Sequence, residues 1–194
     1  MQMTTLAPAT YRRMPWKNGL GETTELVRAP RDGDPDWRIS IARVTADGPF
    51  SHYPGYDRVI LALDGDGLVL THHDTGTEVA IGVLEPWDFS GDLTTSCVVR
   101  GGAFRDFNVF TRRAAFTAEV KVLALTKGKT LSIGADATIL YCAEGSIVLS
   151  TPDRIDLQSD ETVVIEPTGP DDSLTIEPGG LRATVVQVEL TRKE

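Results

Sequence analysis

A chain of 194 residues with 41% hydrophobic content can bury an ordinary core as one large or two small domains. A formal net charge of -9, with no Lys/Arg cluster larger than a pair, excludes the electrostatic footprint of a nucleic-acid binder. Apolar runs reach only about five residues, against roughly 20 for a bilayer span, and the opening MQMTTLAPATYRRM has no basic start followed by an apolar stretch; no membrane partner is expected, and the cytoplasm is the expected compartment.

In chain order, residues 16–26 read WKNGLGETTEL, a polar, glycine-bearing loop leading into a strand. Lys17 and Asn18 offer donors to a small acidic ligand. The competing reading is a surface turn in which Asn18-Gly19 supplies positive φ. At 37–42, period-2 alternation puts Arg38, Ser40 and Ala42 on one face and Trp37, Ile39 and Ile41 on the other. A polar inner face suits a barrel cavity, unless Arg38 faces solvent. Residues 47–58, DGPFSHYPGYDR, form a loop that places Arg58 just before the apolar strand 59–63, near a barrel mouth or in an ion pair with Asp57 or Asp64. Strands follow at 68–71 and 78–83; the adjacent His72 and His73 must point to opposite faces and read as exposed hairpin residues. In RDFNVF, residues 105–110, Asp106 and Asn108 share a face opposite Phe107 and Val109, lining a cavity or the outside. Further strands fall at 138–142, 147–150 and 162–165.

No stretch carries a convincing helical period, so the chain is expected to be all-β. Gly65 in LDGDGLVL matches Gly145 in AEGSIVL, Leu84-Glu85-Pro86 matches Ile165-Glu166-Pro167, and Gly101-Gly102 matches Gly179-Gly180, all at offsets of about 80 residues. A duplicated unit explains this. The expected architecture is a bicupin: two small antiparallel jelly-roll barrels packed together, residues 1–120 carrying a pocket and residues 121–194 forming a degenerate, structural barrel. The first half holds all three tryptophans and all three histidines.

Trp16-Lys17-Asn18-Gly19, Trp37-Arg38, Gly48-Pro49-Phe50-Ser51, Gly55-Tyr56-Asp57-Arg58 and Asp106-Phe107-Asn108 stand in an order that resembles the HutD/Ves family of bacterial proteins. The resemblance covers about the first 113 residues, with two departures: Leu20 stands where the family usually has glycine, and Phe110 where it usually has methionine. It implies a role tied to histidine utilisation, with urocanate or a formyl- or formimino-glutamate as ligand. The family pattern favours a cavity position for Asp106 and Asn108.

The residues themselves make a poor metal kit. His52 stands alone where metal-binding cupins carry a histidine pair, position 54 being Pro54, so no metal ligand and no cofactor is assigned. Ser51-His52 adjacency supplies no relay, no Gly-x-Ser-x-Gly elbow exists, and Cys97 and Cys142 read as buried free thiols, so no catalytic residue is assigned. The expected ligand-binding set is Lys17, Asn18, Arg38, His52, Arg58 and Asn108, with Trp16, Glu25, Tyr53 and Asp106 as secondary candidates. The expected partner is a small anionic metabolite bound by charge-assisted hydrogen bonds worth roughly 1.5–3 kcal/mol each, with a homodimer as an open assembly. The alternative is a cupin-type isomerase or hydrolase using His52 with Glu25 or Asp106; a third reading is a scaffold acting through an exposed strand edge.

Overall fold

Alternating Val, Ile, Leu and Thr punctuated by Gly, Pro and Asp fold as short antiparallel strands, because each such run can bury one face and satisfy its backbone only against a neighbour. A computed structural model of the chain describes residues 1–16, 21–151 and 154–194. Its strands are β1 (Gln2–Leu6), β2 (Arg12–Pro15), β3 (Gly21–Ala29), β4 (Trp37–Val44), β5 (Gly48–Pro49), β6 (Tyr56–Ala62), β7 (Leu68–His72), β8 (Thr77–Ile81), β9 (Trp87–Ser90), β10 (Thr95–Val99) and β11 (Phe104–Arg112). They continue with β12 (Phe116–Leu125), β13 (Lys129–Ser132), β14 (Ala137–Glu144), β15 (Ser146–Ser150), β16 (Ile155–Gln158), β17 (Thr162–Glu166), β18 (Ser173–Pro178) and β19 (Ala183–Arg192). Among the described residues the one helical element is a 3-10 turn at Pro8–Thr10.

Residues 11–117, with 193–194, make one unit: a six-stranded sheet β2-β3-β4-β11-β6-β9 and a four-stranded sheet β5-β10-β7-β8. Residues 118–192, with 1–10, make the other: a five-stranded sheet β1-β17-β14-β19-β12 and a four-stranded sheet β13-β18-β15-β16. The orders β4-β11-β6-β9 and β5-β10-β7-β8 repeat as β12-β19-β14-β17 and β13-β18-β15-β16, so eight consecutive strands recur with the same jelly-roll connectivity. The fold is all-β and cupin-like.

The repeat is anchored where the glycines are. Gly65, between β6 and β7, has φ +77°, and Gly145, between β14 and β15, has φ +78°. A Cβ at Gly65 would lie 2.9 Å from the Phe104 Cβ, and one at Gly145 would lie 2.7 Å from the Arg182 carbonyl oxygen. Both turns therefore need glycine for backbone conformation and for space. The Leu84-Glu85-Pro86 and Ile165-Glu166-Pro167 match is not equivalent in the same sense, since the first precedes β9 and the second closes β17. The division also differs from a contiguous cut at residue 120: β1 pairs antiparallel with β17, from Gln2 opposite Glu166 to Leu6 opposite Thr162, so residues 1–10 belong with the later strands.

Equivalent positions carry different interiors. In the unit of residues 118–192, Leu140 and Cys142 of β14, Ile147 and Leu149 of β15, and Leu174 and Ile176 of β18 join one apolar cluster spanning both sheets. In the other unit the apolar cluster, which includes Ile60, Leu68, Leu70, Cys97 and Phe104, fills only part of the interior. Aligned on the two glycines, Arg58, Asp106 and Asn108 of one unit correspond to Thr138, Val185 and Gln187 of the other. Gly65→Ala and Gly145→Ala are each expected to lower unfolding free energy by about 1–2 kcal/mol from the left-handed backbone alone, and by more where the new Cβ meets its neighbour; equilibrium urea denaturation checks this.

Candidate functional site

Strand register builds the site row by row. Across β4, β11, β6 and β9, Arg38 is opposite Phe110, Phe110 opposite Arg58, and Arg58 opposite Phe89. Directly paired residues share a face, so cation and aromatic ring alternate along one row. The next inward row runs Glu25, Ser40, Asn108 and Ile60, and the third runs Thr23, Ala42, Asp106 and Ala62. Arg38, Phe110 and Arg58 of the first row, Ser40 and Asn108 of the second, and Thr23, Ala42 and Asp106 of the third form the floor of a cavity of about 520 Å³, whose walls include Met14, Trp16, Phe50, Ser51 and Tyr53.

Arg58 dominates this cavity. It is 5% exposed, and its Nη2 donates to Asn108 Oδ1 at 2.8 Å. Its Cζ lies 4.6 Å from the ring centre of Phe110, 4.9 Å from Phe89, 5.3 Å from Phe50 and 5.6 Å from Tyr53. Among the described residues no carboxylate pairs with it, and its buried Nε has no hydrogen-bond partner. Burial pulls its pKa down to about 10, opposed by the nearby Asp106 charge, so Arg58 remains a cation at neutral pH. Arg38, at the rim of the same row, has its Nε 3.0 Å from Glu25 Oε2 and its Cζ 5.4 Å from the Phe110 ring centre.

Asp106 is 2% exposed and accepts the Ala42 backbone N–H at 3.0 Å. Burial pushes its pKa up to about 6, against the lowering effects of a hydrogen bond from Asn108 and the charge of Arg58. Trp16 closes one wall: its Nε1 donates to Thr23 Oγ1 at 2.8 Å, and its ring lies over Gly21, where a Cβ would come within 2.9 Å of it.

The loop that carries Phe50 and Tyr53 is tied down. Phe50 N–H donates to the Thr95 carbonyl at 2.8 Å, Tyr53 N–H to the Gly91 carbonyl at 2.9 Å, and Gly55 N–H to Asp92 Oδ1 at 2.7 Å. Asp92 also accepts from Ser90 and pairs with Arg113 at 2.6 Å; these bonds, the Gly55 one first, hold its pKa down to about 2.

The expected site residues divide accordingly. Arg38, Arg58 and Asn108 converge on the cavity, as do the secondary candidates Trp16, Tyr53 and Asp106. Glu25 is buried behind the rim as the ion-pair partner of Arg38. His52 does not join them: it is exposed, and its Nε2 bonds the Asp92 carbonyl at 2.7 Å, because the loop is drawn toward Asp92. Lys17, Asn18 and Leu20 lie outside the described residues. Arg58 makes no ion pair with Asp57 or Asp64, which instead engage Arg113 and Arg105.

Two residues escaped the sequence reading. His72 is not an exposed hairpin residue; it is 3% exposed, its Nδ1 lies 2.9 Å from Thr95 Oγ1, and its ring packs 5.1 Å from that of Phe89. Burial and then the Arg58 charge lower its pKa, which keeps it neutral. The signal was present, since Leu68, Leu70 and His72 share the inward face of β7. His73 is exposed, bonded to Ser96. Phe89 was the other omission, and only its register with Arg58 reveals it. Among the described residues no group of three His, Cys, Asp or Glu side chains converges as metal ligands.

Cys97 and Cys142 are 1% and 0% exposed, and burial pushes their thiols up to about 12 and about 11. Neither thiol is expected to react with Ellman's reagent in native protein, and both are expected to react in denaturant. Asp106 titrates above its unfolded value of 3.8, so between roughly pH 4 and 6 the native state holds the extra proton. Stability associated with the neutral carboxyl is therefore present at low pH and lost as pH rises through about 6. Urea titrations at pH 4.5 and 7.5 should show the parent losing about 1–2 kcal/mol more over that interval than Asp106→Asn. Equal slopes would mean that the carboxylate ionises without penalty.

The HutD family model matches residues 8–182. An uncharacterized 21.2 kDa protein in the hutC 3' region of Pseudomonas putida is 34% identical over 155 residues, covering 79% of this chain and 80% of its own length. Protein Ves of Citrobacter koseri is 36% identical over 116 residues, 57% of this chain and 60% of its own. The solved structure of HutD from Pseudomonas fluorescens SBW25 is 26% identical, with a TM-score of 0.85 and both chains covered fully. A cupin 2 conserved barrel domain protein from Leptotrichia buccalis, at 8% identity, a TM-score of 0.60 and coverage of 88% of this chain and 89% of its own, shares the fold alone. Matched along nearly its whole length by the family model, the chain belongs to the HutD family.

Proposed function

We propose that the chain binds a small carboxylate metabolite in the cavity of the 11–117 unit and serves a regulatory role in histidine utilisation. The observation that carries the reading is Arg58: a buried cation held by aromatic faces and one amide, with an unpartnered Nε and no counter-carboxylate among the described residues. A charge so placed gains most from an anion, and the cavity has room for one of metabolite size. The pathway part of the reading rests on relatives: the P. putida relative lies in the hutC 3' region, and the P. fluorescens HutD structure is of a formate condition. Urocanate and formyl- or formimino-glutamate are the candidate ligands.

On this reading the chain is a bicupin in which the second unit, its interior filled with aliphatic side chains, is structural. It acts in the cytoplasm without nucleic-acid or membrane partners. No helix among the described residues is long and apolar enough to cross a membrane.

The raised pKa of Asp106 favours one competing reading, proton-transfer catalysis, but its expected partner His52 stands outside the cavity. Turnover of any histidine-pathway acid by the purified protein, abolished in Asp106→Asn, would establish catalysis and displace the binding role.

Thermal melts with urocanate, formate, glutamate and N-formyl-glutamate test the reading. A true ligand at 100 times its dissociation constant should add roughly 2.7 kcal/mol of stability. Arg58→Met and Arg38→Met are expected to abolish most of that shift, whereas His52→Ala should retain it. Arginine variants that respond like the parent would place binding elsewhere.

A further inference from the structure

An anion pocket has no evident use for a buried carboxylate, yet Asp106 is one, 2% exposed and lining the same cavity as Arg58. Resting on the anion-binding reading above, we propose that Asp106 is the specificity-determining acceptor of this cavity, selecting carboxylate ligands that also carry an N–H donor, such as an azole or an amide.

The geometry supplies the polarity. Phe110, Asn108 and Asp106 project inward from alternate positions of β11, so the cationic row and the Asp106 row are about 13 Å apart along the strand. Asn108 stands between them. Its Oδ1 accepts from Arg58 at 2.8 Å, while its side chain hydrogen-bonds Asp106. A primary amide has one acceptor and one donor end, so these partners set its orientation, oxygen to the cation and nitrogen to the carboxylate. The Arg58 guanidinium reaches one row toward Asp106, which leaves opposite charges roughly 7 Å apart on one cavity floor.

Asp106 keeps acceptor capacity for a ligand. The Ala42 N–H, the Asn108 amide and the backbone N–H of Asp106 itself occupy about three of the carboxylate's roughly four acceptor sites. Among the described residues no cation lies within ion-pair distance of it. With its pKa pushed to about 6, the group is ionised at pH 7.5, and an N–H donor from a ligand favours that form. The repeat offers an internal comparison: where the second unit has Thr138 in place of Arg58, it also has Val185 in place of Asp106, so both charges are absent together. A cation alone recognises any small acid, whereas a cation and an acceptor at fixed separation reject acids that leave the acceptor unpaired.

Calorimetric titration at pH 7.5 with two pairs of acids tests this: urocanate against 3-(3-furyl)acrylate, and N-formyl-L-glutamate against glutarate. In the parent, the N–H member of a pair that binds should be favoured by about tenfold or more. Asp106→Ala and Asp106→Asn should compress that ratio to below about threefold, and Arg58→Met should weaken both members alike. Asp106→Asn keeps an acceptor for the Ala42 N–H and stands in if the alanine variant does not fold. Equal binding of both members by the parent, or a preference that survives either folded Asp106 variant, would overturn the role of Asp106 and leave anion binding intact. Failure of all four acids to bind would remove the anion-binding reading, and this inference with it.

Discussion

The burial of one guanidinium organises the N-terminal site. Arg58 has lost nearly all its water, and aromatic faces at 4.6–5.6 Å replace it with quadrupoles rather than with a charge of opposite sign. A carboxylate in that place would neutralise the cation; rings and one amide oxygen hold it without doing so. Its neighbours follow from this requirement. Phe110 and Phe89 flank it on paired strands, Phe50 and Tyr53 arrive on a loop bonded to Thr95, Gly91 and Asp92, and Asn108 turns its oxygen toward it.

The two units show what such a site displaces. The same eight-strand connectivity in the later unit encloses a cluster of Leu, Ile, Val, Ala and Cys side chains drawn from both sheets. At the corresponding rows the earlier unit holds the charged side chains of Glu25, Arg38, Arg58 and Asp106 around a cavity. Each aliphatic side chain left out of a core forgoes on the order of 1.5–3 kcal/mol, and a buried ionised carboxylate adds a further penalty. Buried polar groups and packing density compete for the same inward positions, and the recurring connectivity lets one unit favour each.

Local period made part of this site legible in the sequence. Arg38, Ser40 and Ala42, and likewise Asp106 and Asn108, could be assigned to one face because alternation in a strand needs no knowledge of the partner strand. The same rule applied to residues 68–72 would have turned His72 inward with Leu68 and Leu70; the adjacent His73 and the polar turn that follows drew attention to the hairpin instead. His52 lies in a loop without period, and its direction is set by a carbonyl forty residues away. The aromatic enclosure of Arg58 was equally hidden, since Phe89 meets it only through the pairing of β6 with β9. Long-range register, rather than composition, carried what could not be read.

The opening strand crosses from one unit to the other. Residues 2–6 complete the edge of the sheet built from β17, β14, β19 and β12, while the backbone that follows enters the unit of residues 11–117. A protease nick near residue 117 would therefore yield fragments in which the first holds, covalently, an edge strand belonging to the second. Fragment complementation at that point would have to restore this strand exchange, and a C-terminal piece expressed by itself would expose the flank of β17 to whatever extended chain is at hand.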